Sequence, residues 1–489
     1  MSVDVKLLDK KTYEEKMDAL ILAVSGVSAN TGSASVFSSY AQLQQLIRDG
    51  LGEKIFPVGT QLKTERETAI TISIGDSTGI TAATVDEEVF VDAVGEGHSG
   101  IYEAHFDGAS WLNEHNEPIL LTTYGIQVTG TPAEGDHLIV TETASELIWD
   151  VLDHNKHTFQ NPALTKGVVL GMHNVFTYGS IPFCPAQLLC AAPSGLAAGK
   201  YKFKLVNGAY GGVTGQDGDY MFTLTQAIPA NGGFRHSTIG AYQSGAYTKA
   251  QITGGTITTY GAFNSATGTR PTVESGVVVS LYDDSEATDL GTFSAENHAY
   301  QSATNNSTER NAYGSNRWKT SVFRQWMNST ARKWKSGDAV ISHWFSIQTP
   351  FDMPPSESVM KMEGFLHGFG QHLLDLIQPV AITCSLTNFD KSAANEQETT
   401  YDRVWLQSMT ELGLGSNNGA NEGSTFAYWL TRNTNSDRIK YEGTTARYWF
   451  LRSAYPSYAD YVRGIGGDGS LDGYHAYYSL GCVPACVLG

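Results

Sequence analysis

The C-terminal stretch, residues 447–489, constrains the fold of this chain more than any other part of it. It opens on Tyr448, Trp449, Phe450, Leu451, Arg452 and Ser453 and closes on Cys482, Val483, Pro484, Ala485, Cys486, Val487 and Leu488. Each apolar run reads as a buried strand, because a strand covered on both faces loses the polar alternation of a half-exposed one. Between these anchors the chemistry changes. There stand Tyr455, Ser457, Tyr458, Asp460, Tyr461, Arg463, a glycine-rich run over 464–469, then Tyr474, His475, Tyr477, Tyr478 and Ser479. Tyrosine offers a large amphipathic contact area with few rotatable bonds, and serine and glycine let the backbone adapt. The composition therefore fits a recognition surface, and equally a meander of half-buried strands. The expected ligand-facing set is Tyr455, Ser457, Tyr458, Asp460, Tyr461, Arg463, Tyr474, His475, Tyr477 and Tyr478. Trp449, Leu451, Leu471, Val483 and Val487 are the expected framework.

The run from Tyr448 to Ser453, followed by Asp468, Gly469, Ser470 and Leu471 and then by Gly481, Cys482, Val483, Pro484 and Ala485, resembles the end of a C-type-lectin-fold domain. The similarity is to the bacterial and phage variant with the signature WWLRS…DGSL…GVRPAL. Tyr448 departs from it at the first Trp, and Cys482 and Val483 depart where Val and Arg are usual. That fold is shared by formylglycine-generating-type enzymes and by target proteins of diversity-generating retroelements, whose C-terminal tails carry the varied, ligand-facing residues. Glu146, Leu147, Ile148, Trp149, Asp150, Val151 and Leu152 resemble the first strand of the same family, with Val168, Val169 and Leu170 following. The resemblance implies a domain starting near residue 144 whose first strand pairs with the chain's last. The expected fold class is α+β: a β-rich multidomain chain with short N-terminal helices, ending in a C-type-lectin-like domain.

At 489 residues the chain is long enough for more than one core. A net charge of −18 and the lack of a basic stripe argue against a nucleic-acid partner. The five cysteines are too few and scattered for a disulfide framework and read as small core residues. Met1 is followed by Ser2, Val3, Asp4 and Val5, without the basic region and apolar core of a secretory leader. No run approaches the eighteen or so apolar residues of a membrane span. A recognition surface made without a leader points to a virion component, synthesised in a host cytoplasm and released by lysis.

Along the chain, residues 1–60 form an expected helical attachment or oligomerisation region. Helices are read over 11–24 and 40–49, joined by a small-residue link over 25–35. Their apolar faces suit a homo-oligomer, plausibly a trimer, or packing on the chain itself. Residues 61–143 alternate as strands, Glu88 to Asp92 among them, and read as a small antiparallel β module. Residues 144–489 form the lectin-like domain, with a β-rich insertion at about 190–295. Trp318, Val322, Phe323, Trp326 and Met327 predict a core-facing helix over 317–334, and Met360, Phe365, Leu373 and Leu376 a second over 359–376. Residues 388–400 read as an exposed loop.

Most catalytic motifs fail on context. Residues 464–469 match G-x-G-x-x-G, but no helix follows and the chain ends before an acidic partner could appear. Cys482 and Cys486 coincide with apolar positions and read as buried thiols rather than the cysteine pair of a formylglycine-generating-type oxidase. His154 with His157, and His367 with His372, lack further ligands at metal spacing. The calcium-site motifs of true C-type lectins, Glu-Pro-Asn and Trp-Asn-Asp, do not occur, so no cofactor or metal is implied. The expected function is therefore non-enzymatic: a phage receptor-binding or fibre subunit that binds a host cell-surface protein or glycan. Such an oxidase and a purely structural virion protein are the alternatives.

Overall fold

The structure, a computed structural model, describes residues 4–7, 40–86, 89–90, 93, 101–206, 217–241, 252–282, 286–295, 303–331 and 345–489. The expected helix over 11–24 and the link after it lie outside these residues. The described chain is β-rich, with several small sheets and few, short helices.

Its largest sheet is organised around the strand His137–His154. The first half of this strand alternates: Leu138 and Val140 are buried beside Ile70, Phe90, Tyr102 and Ile126 in a small core. From Trp149 onward every residue is buried, and Trp149, Val151 and Leu152 belong to the main core. The change from alternation to an apolar run marks where cover on one face becomes cover on both. Gln61–Gly75 pairs antiparallel with nearly its whole length, and Asp4–Leu7 adds in parallel to Gln61 through Thr64. On the opposite edge Ile101–Phe106 pairs with the first half and Val168–Met172 with the second. The expected boundary at 143/144 thus falls inside one continuous strand.

Pro484–Leu488 pairs with Val168–Met172, and Val404–Leu406 pairs in turn with Pro484–Leu488. The expected direct pairing of the 146–152 strand with the last strand does not form, because Val168–Met172 lies between them. Pro484 sits at the first position of its strand, where a missing N–H is tolerated.

Residues 190–295 carry two four-stranded sheets that share one aromatic core of Tyr201, Phe203, Tyr220, Phe222, Phe234 and Phe293. Phe222 and Phe234, from different sheets, meet edge to face at 5.1 Å between centroids.

Several local expectations are corrected. The stripe Trp318, Val322, Phe323, Trp326 and Met327 is buried, but its helix is short. A 3-10 turn at Trp318–Thr320 ends at Ser321, whose extended backbone and side chain cap Val322–Met327 by accepting from the Arg324 N–H. A serine that bonds backbone locally favours a cap over a helix interior. The second helix divides into Glu357–Met360 and Gln371–Leu376. Gly368 between them has φ +80, and a Cβ there would stand 2.5 Å from the Glu67 carbonyl oxygen. Val89 and Phe90 are helical rather than extended. The 388–400 loop is neither wholly exposed nor wholly loop: Asp390 is fully buried, and Gln397–Asp402 pairs with Val380–Ser385.

For the helix Tyr40–Arg48 the structure shows packing on the chain itself, one of the two readings its apolar face allowed. Its apolar face is covered by its own chain, with Leu43 and Ile47 buried in the main core. Gln44 Nε2 donates to the carbonyl of Gly489 at 3.1 Å, tying this helix to the end of the chain. Leu43→Ala should therefore destabilise the main core by about 2–5 kcal/mol, read by denaturant unfolding. A loss below about 0.5 kcal/mol, the range of exposed sites, would contradict this packing.

Candidate functional site

Three strands, Trp449–Ala454, Tyr461–Ile465 and Leu471–His475, form the sheet that carries the tyrosine-rich segment. Register places Tyr461 opposite His475, Arg463 opposite Gly473 and Val462 opposite Tyr474. Because side chains alternate along a strand, Tyr461, Arg463 and His475 share one face, while Val462 and Tyr474 take the other. Tyr474 packs with Tyr448 at 5.7 Å, and its hydroxyl is buried without a hydrogen-bond partner, so burial raises its pKa. It stands apart from the other expected ligand-facing residues.

The remaining aromatic side chains meet. Tyr455, Tyr458 and Tyr461 contact one another at 5.1–6.1 Å between centroids. Tyr461 meets His475 at 4.3 Å, and His475 meets Tyr477 and Tyr478 at 5.9 and 5.5 Å. Tyr313, from the helix Thr308–Tyr313, stacks on His475 at 3.9 Å and joins Tyr477. Tyr477 and Tyr478 are each 40% exposed. Ser457 is exposed, and Tyr455, Tyr458, Tyr461 and Arg463 are half-buried. The Arg463 guanidinium carbon lies 3.8 Å from the Tyr455 ring centroid.

Two expected contact residues are buried instead. Asp460 is fully buried and His475 nearly so. The physical reason is a polar cluster beneath the rings. Asp460 Oδ2 lies 2.5 Å from His475 Nδ1, and His475 Nε2 lies 3.2 Å from the Tyr461 hydroxyl. Glu309 accepts from the Ala459 N–H at 3.0 Å, next to Asp460 in sequence, and the two buried carboxyls disfavour each other's ionisation. Burial, with the Asp460 charge second, pushes Glu309 up to about 8. Burial raises Asp460 well above the usual carboxylate range and lowers His475 to about 4. Beside them Arg310 donates to both oxygens of Asp390, at 2.9 Å from Nη1 and more closely from Nη2, and its Nε donates to the Ala459 carbonyl at 3.0 Å. Asn316 Nδ2 donates to the carbonyls of Tyr458 and Tyr461, both at 2.8 Å.

The turn joining Tyr461–Ile465 to Leu471–His475 is the G-x-G-x-x-G match. It closes by Gly466 N–H to the Ser470 carbonyl and Gly469 N–H to the Gly466 carbonyl, with strands on both sides. Gly469, at φ +80, is required there because a Cβ would stand 1.7 Å from the Asn435 carbonyl oxygen. Cys482 and Cys486 are buried with their thiols raised by desolvation, and Cys482 Sγ lies 3.5 Å from Met327 Sδ. A thiol held protonated in the core is chemically inert. His154 bonds the Phe56 carbonyl at 2.8 Å, and His157 packs between Trp405 and Phe426. Among the described residues no group of three or more His, Cys, Asp or Glu is placed to hold a metal ion, and no helix is long and apolar enough to cross a membrane.

Tyr313, Glu309, Arg310, Asn316 and Asp390 carry the site yet escape a sequence reading. They lie in polar segments without periodicity, and only their placement in three dimensions distinguishes them from surface residues.

Comparison with known families matches residues 290–489 to a domain of unknown function (DUF6273). No curated protein and no solved structure matches the chain.

The buried cluster has a pH signature. From its ordinary 4.5 to about 8, Glu309 keeps its proton only when folded, so stability falls as pH rises through that window. His475 acts oppositely between about 4 and 6.5, where only the unfolded state binds its proton. The histidine effect fades about one pH unit above 6.5, while Glu309 still titrates up to about 8. The melting temperature should therefore fall more steeply with pH from about 7 to 8 in the parent than in Glu309→Gln, which can still accept from the Ala459 N–H. An identical slope in the variant would contradict a raised Glu309 carboxyl.

Proposed function

We propose that the chain is a non-enzymatic binding protein of a bacteriophage particle, a receptor-binding or head- or tail-fibre subunit. Its C-terminal part takes the C-type-lectin-like fold and turns the tyrosine face toward a host cell-surface protein or glycan. The observation that carries this reading is the contiguous aromatic face of Tyr313, Tyr455, Tyr458, Tyr461, Tyr477 and Tyr478 around His475. Tyrosine-rich patches of this kind concentrate binding energy in a few central residues. The order of motifs from Trp449 to Ala485 supports the fold, and buried Trp449, Leu451, Val483 and Val487 support the division into framework and face. Retroelement diversification of the exposed members would act on side chains that the fold does not need. Other virion proteins, and further copies of this chain, complete the partner set.

Two experiments test the reading. An antibody to this chain should label purified particles, and consistent absence from virions would remove the virion assignment. Replacing Tyr458, Tyr477 and Tyr478 together by serine should abolish adsorption to host cells while shifting the melting temperature by no more than a few degrees, about 2 °C per kcal/mol in a chain of this size. Tyr474→Ser, on the other side of the sheet, should leave adsorption unchanged. Retained adsorption in the triple variant would place the binding surface elsewhere.

A further inference from the structure

We propose that the tyrosine face recognises a ligand bearing an accessible anionic group, a carboxylate or a phosphate, held in the guanidinium fork of Arg463. This rests on reading the face as a binding surface and adds the chemistry of what it binds.

Five arginines have carboxylate partners, Arg310 with Asp390, Arg317 with Glu398, Arg324 with Asp402, Arg447 with Glu442 and Arg452 with Glu411, and Arg438 spends its donors on the carbonyls of Asn433 and Gly469 and on Asn435. Among the described residues no carboxylate pairs with Arg463, in a chain whose net charge is −18. Its surroundings explain why. Asp460 is buried against His475 and Glu309, Asp390 is bound to Arg310, and Asp472 stands opposite Gly464, on the other face of the sheet. Arg463 is also built in rather than loose. Its guanidinium carbon sits 3.8 Å over the Tyr455 ring, and its Nε–H is buried without an acceptor. Tyr455 in turn lies against Gly473, where a Cβ would come within 2.7 Å of the ring. A side chain at 473 would displace this shelf. A ring-stacked guanidinium gives its flat face to the ring and keeps its donors in the plane of the fork, where a carboxylate or phosphate is met by two parallel hydrogen bonds. A partly dehydrated, unanswered cation beside half-buried tyrosines is the arrangement an incoming anion completes.

The test titrates the full chain with 3′-sialyllactose, glycerol 3-phosphate and lactose, a carboxylate, a phosphate and a neutral sugar, followed by calorimetry at two salt concentrations. The expected result is binding of at least one acidic probe over lactose, weakened by salt. Arg463→Gln should lose on the order of thirty-fold or more in affinity. Arg463→Lys should also weaken binding, since it keeps the charge and loses the fork. The melting temperature of both variants should fall by no more than a few degrees, the loss of one ring contact, so that lost affinity is not lost fold. Binding of the sialylated probe alone assigns a carboxylate, and of glycerol 3-phosphate alone a phosphate. Failure of both acidic probes at millimolar concentration, equal affinity for lactose, or unchanged affinity in Arg463→Gln would each overturn the proposal. Host adsorption separates it from the broader reading. Loss in the tyrosine variant with normal adsorption by Arg463→Gln would leave the face as the binding surface and remove the anion.

Discussion

The buried ion pair between Arg310 and Asp390 is the constraint on which the candidate site depends. Both side chains are fully excluded from solvent. A guanidinium there must have its charge and its donors answered, and the answers come from two distant segments: Asp390, and the carbonyl of Ala459. Removing either charge would leave the other buried and unpaired, at a cost of about 3–5 kcal/mol. The pair therefore acts less as a source of stability than as a registration device. With Asn316 holding the carbonyls of Tyr458 and Tyr461, and the Asn388 N–H holding that of Pro456, the 455–461 loop has one position available.

This registration determines what the surface can do. Tyr455, Tyr458 and Tyr461 project from a loop whose backbone is already satisfied, and Tyr477 projects from a residue whose N–H is held by Tyr313. Little ordering remains to be done on binding, which is where preorganised surfaces gain affinity. Burial raises both Glu309 and Asp460, which keeps a cluster rich in carboxyls from carrying its full negative charge beneath the rings. In the proposed account, that leaves the stacked Arg463 as the charge that a ligand meets first.

Part of this was legible in the sequence. Apolar runs at Trp449–Ala454 and Pro484–Leu488 gave buried strands, since period and composition are local properties. The tyrosines of the face between 455 and 478 were identifiable for the same reason, since their number and spacing are visible in one segment, whereas Tyr313 joins them from far along the chain. What was not legible was set by contacts across the chain. Asp460 and His475 look like surface residues by polarity alone, yet the partner of Asp460's own backbone neighbour, Arg310, lies 149 positions away. Tyr474 shares the composition of the face but, by one step of strand alternation, belongs to the opposite side. Helix lengths failed where a serine at 321 and a glycine at 368 met tertiary demands that periodicity does not register. What the 40–48 helix packs against was open in the sequence because the contact is with the far end of the chain.

Hydrogen exchange of the full chain, with and without purified host cell envelopes, tests the central claim most directly. The account predicts slowed exchange confined to residues 455–463 and 473–478, with the 190–295 sandwich and the Tyr448–Tyr474 side of the sheet unchanged. Protection centred on that sandwich or on that opposite side, with the tyrosine face exchanging as before, would contradict it.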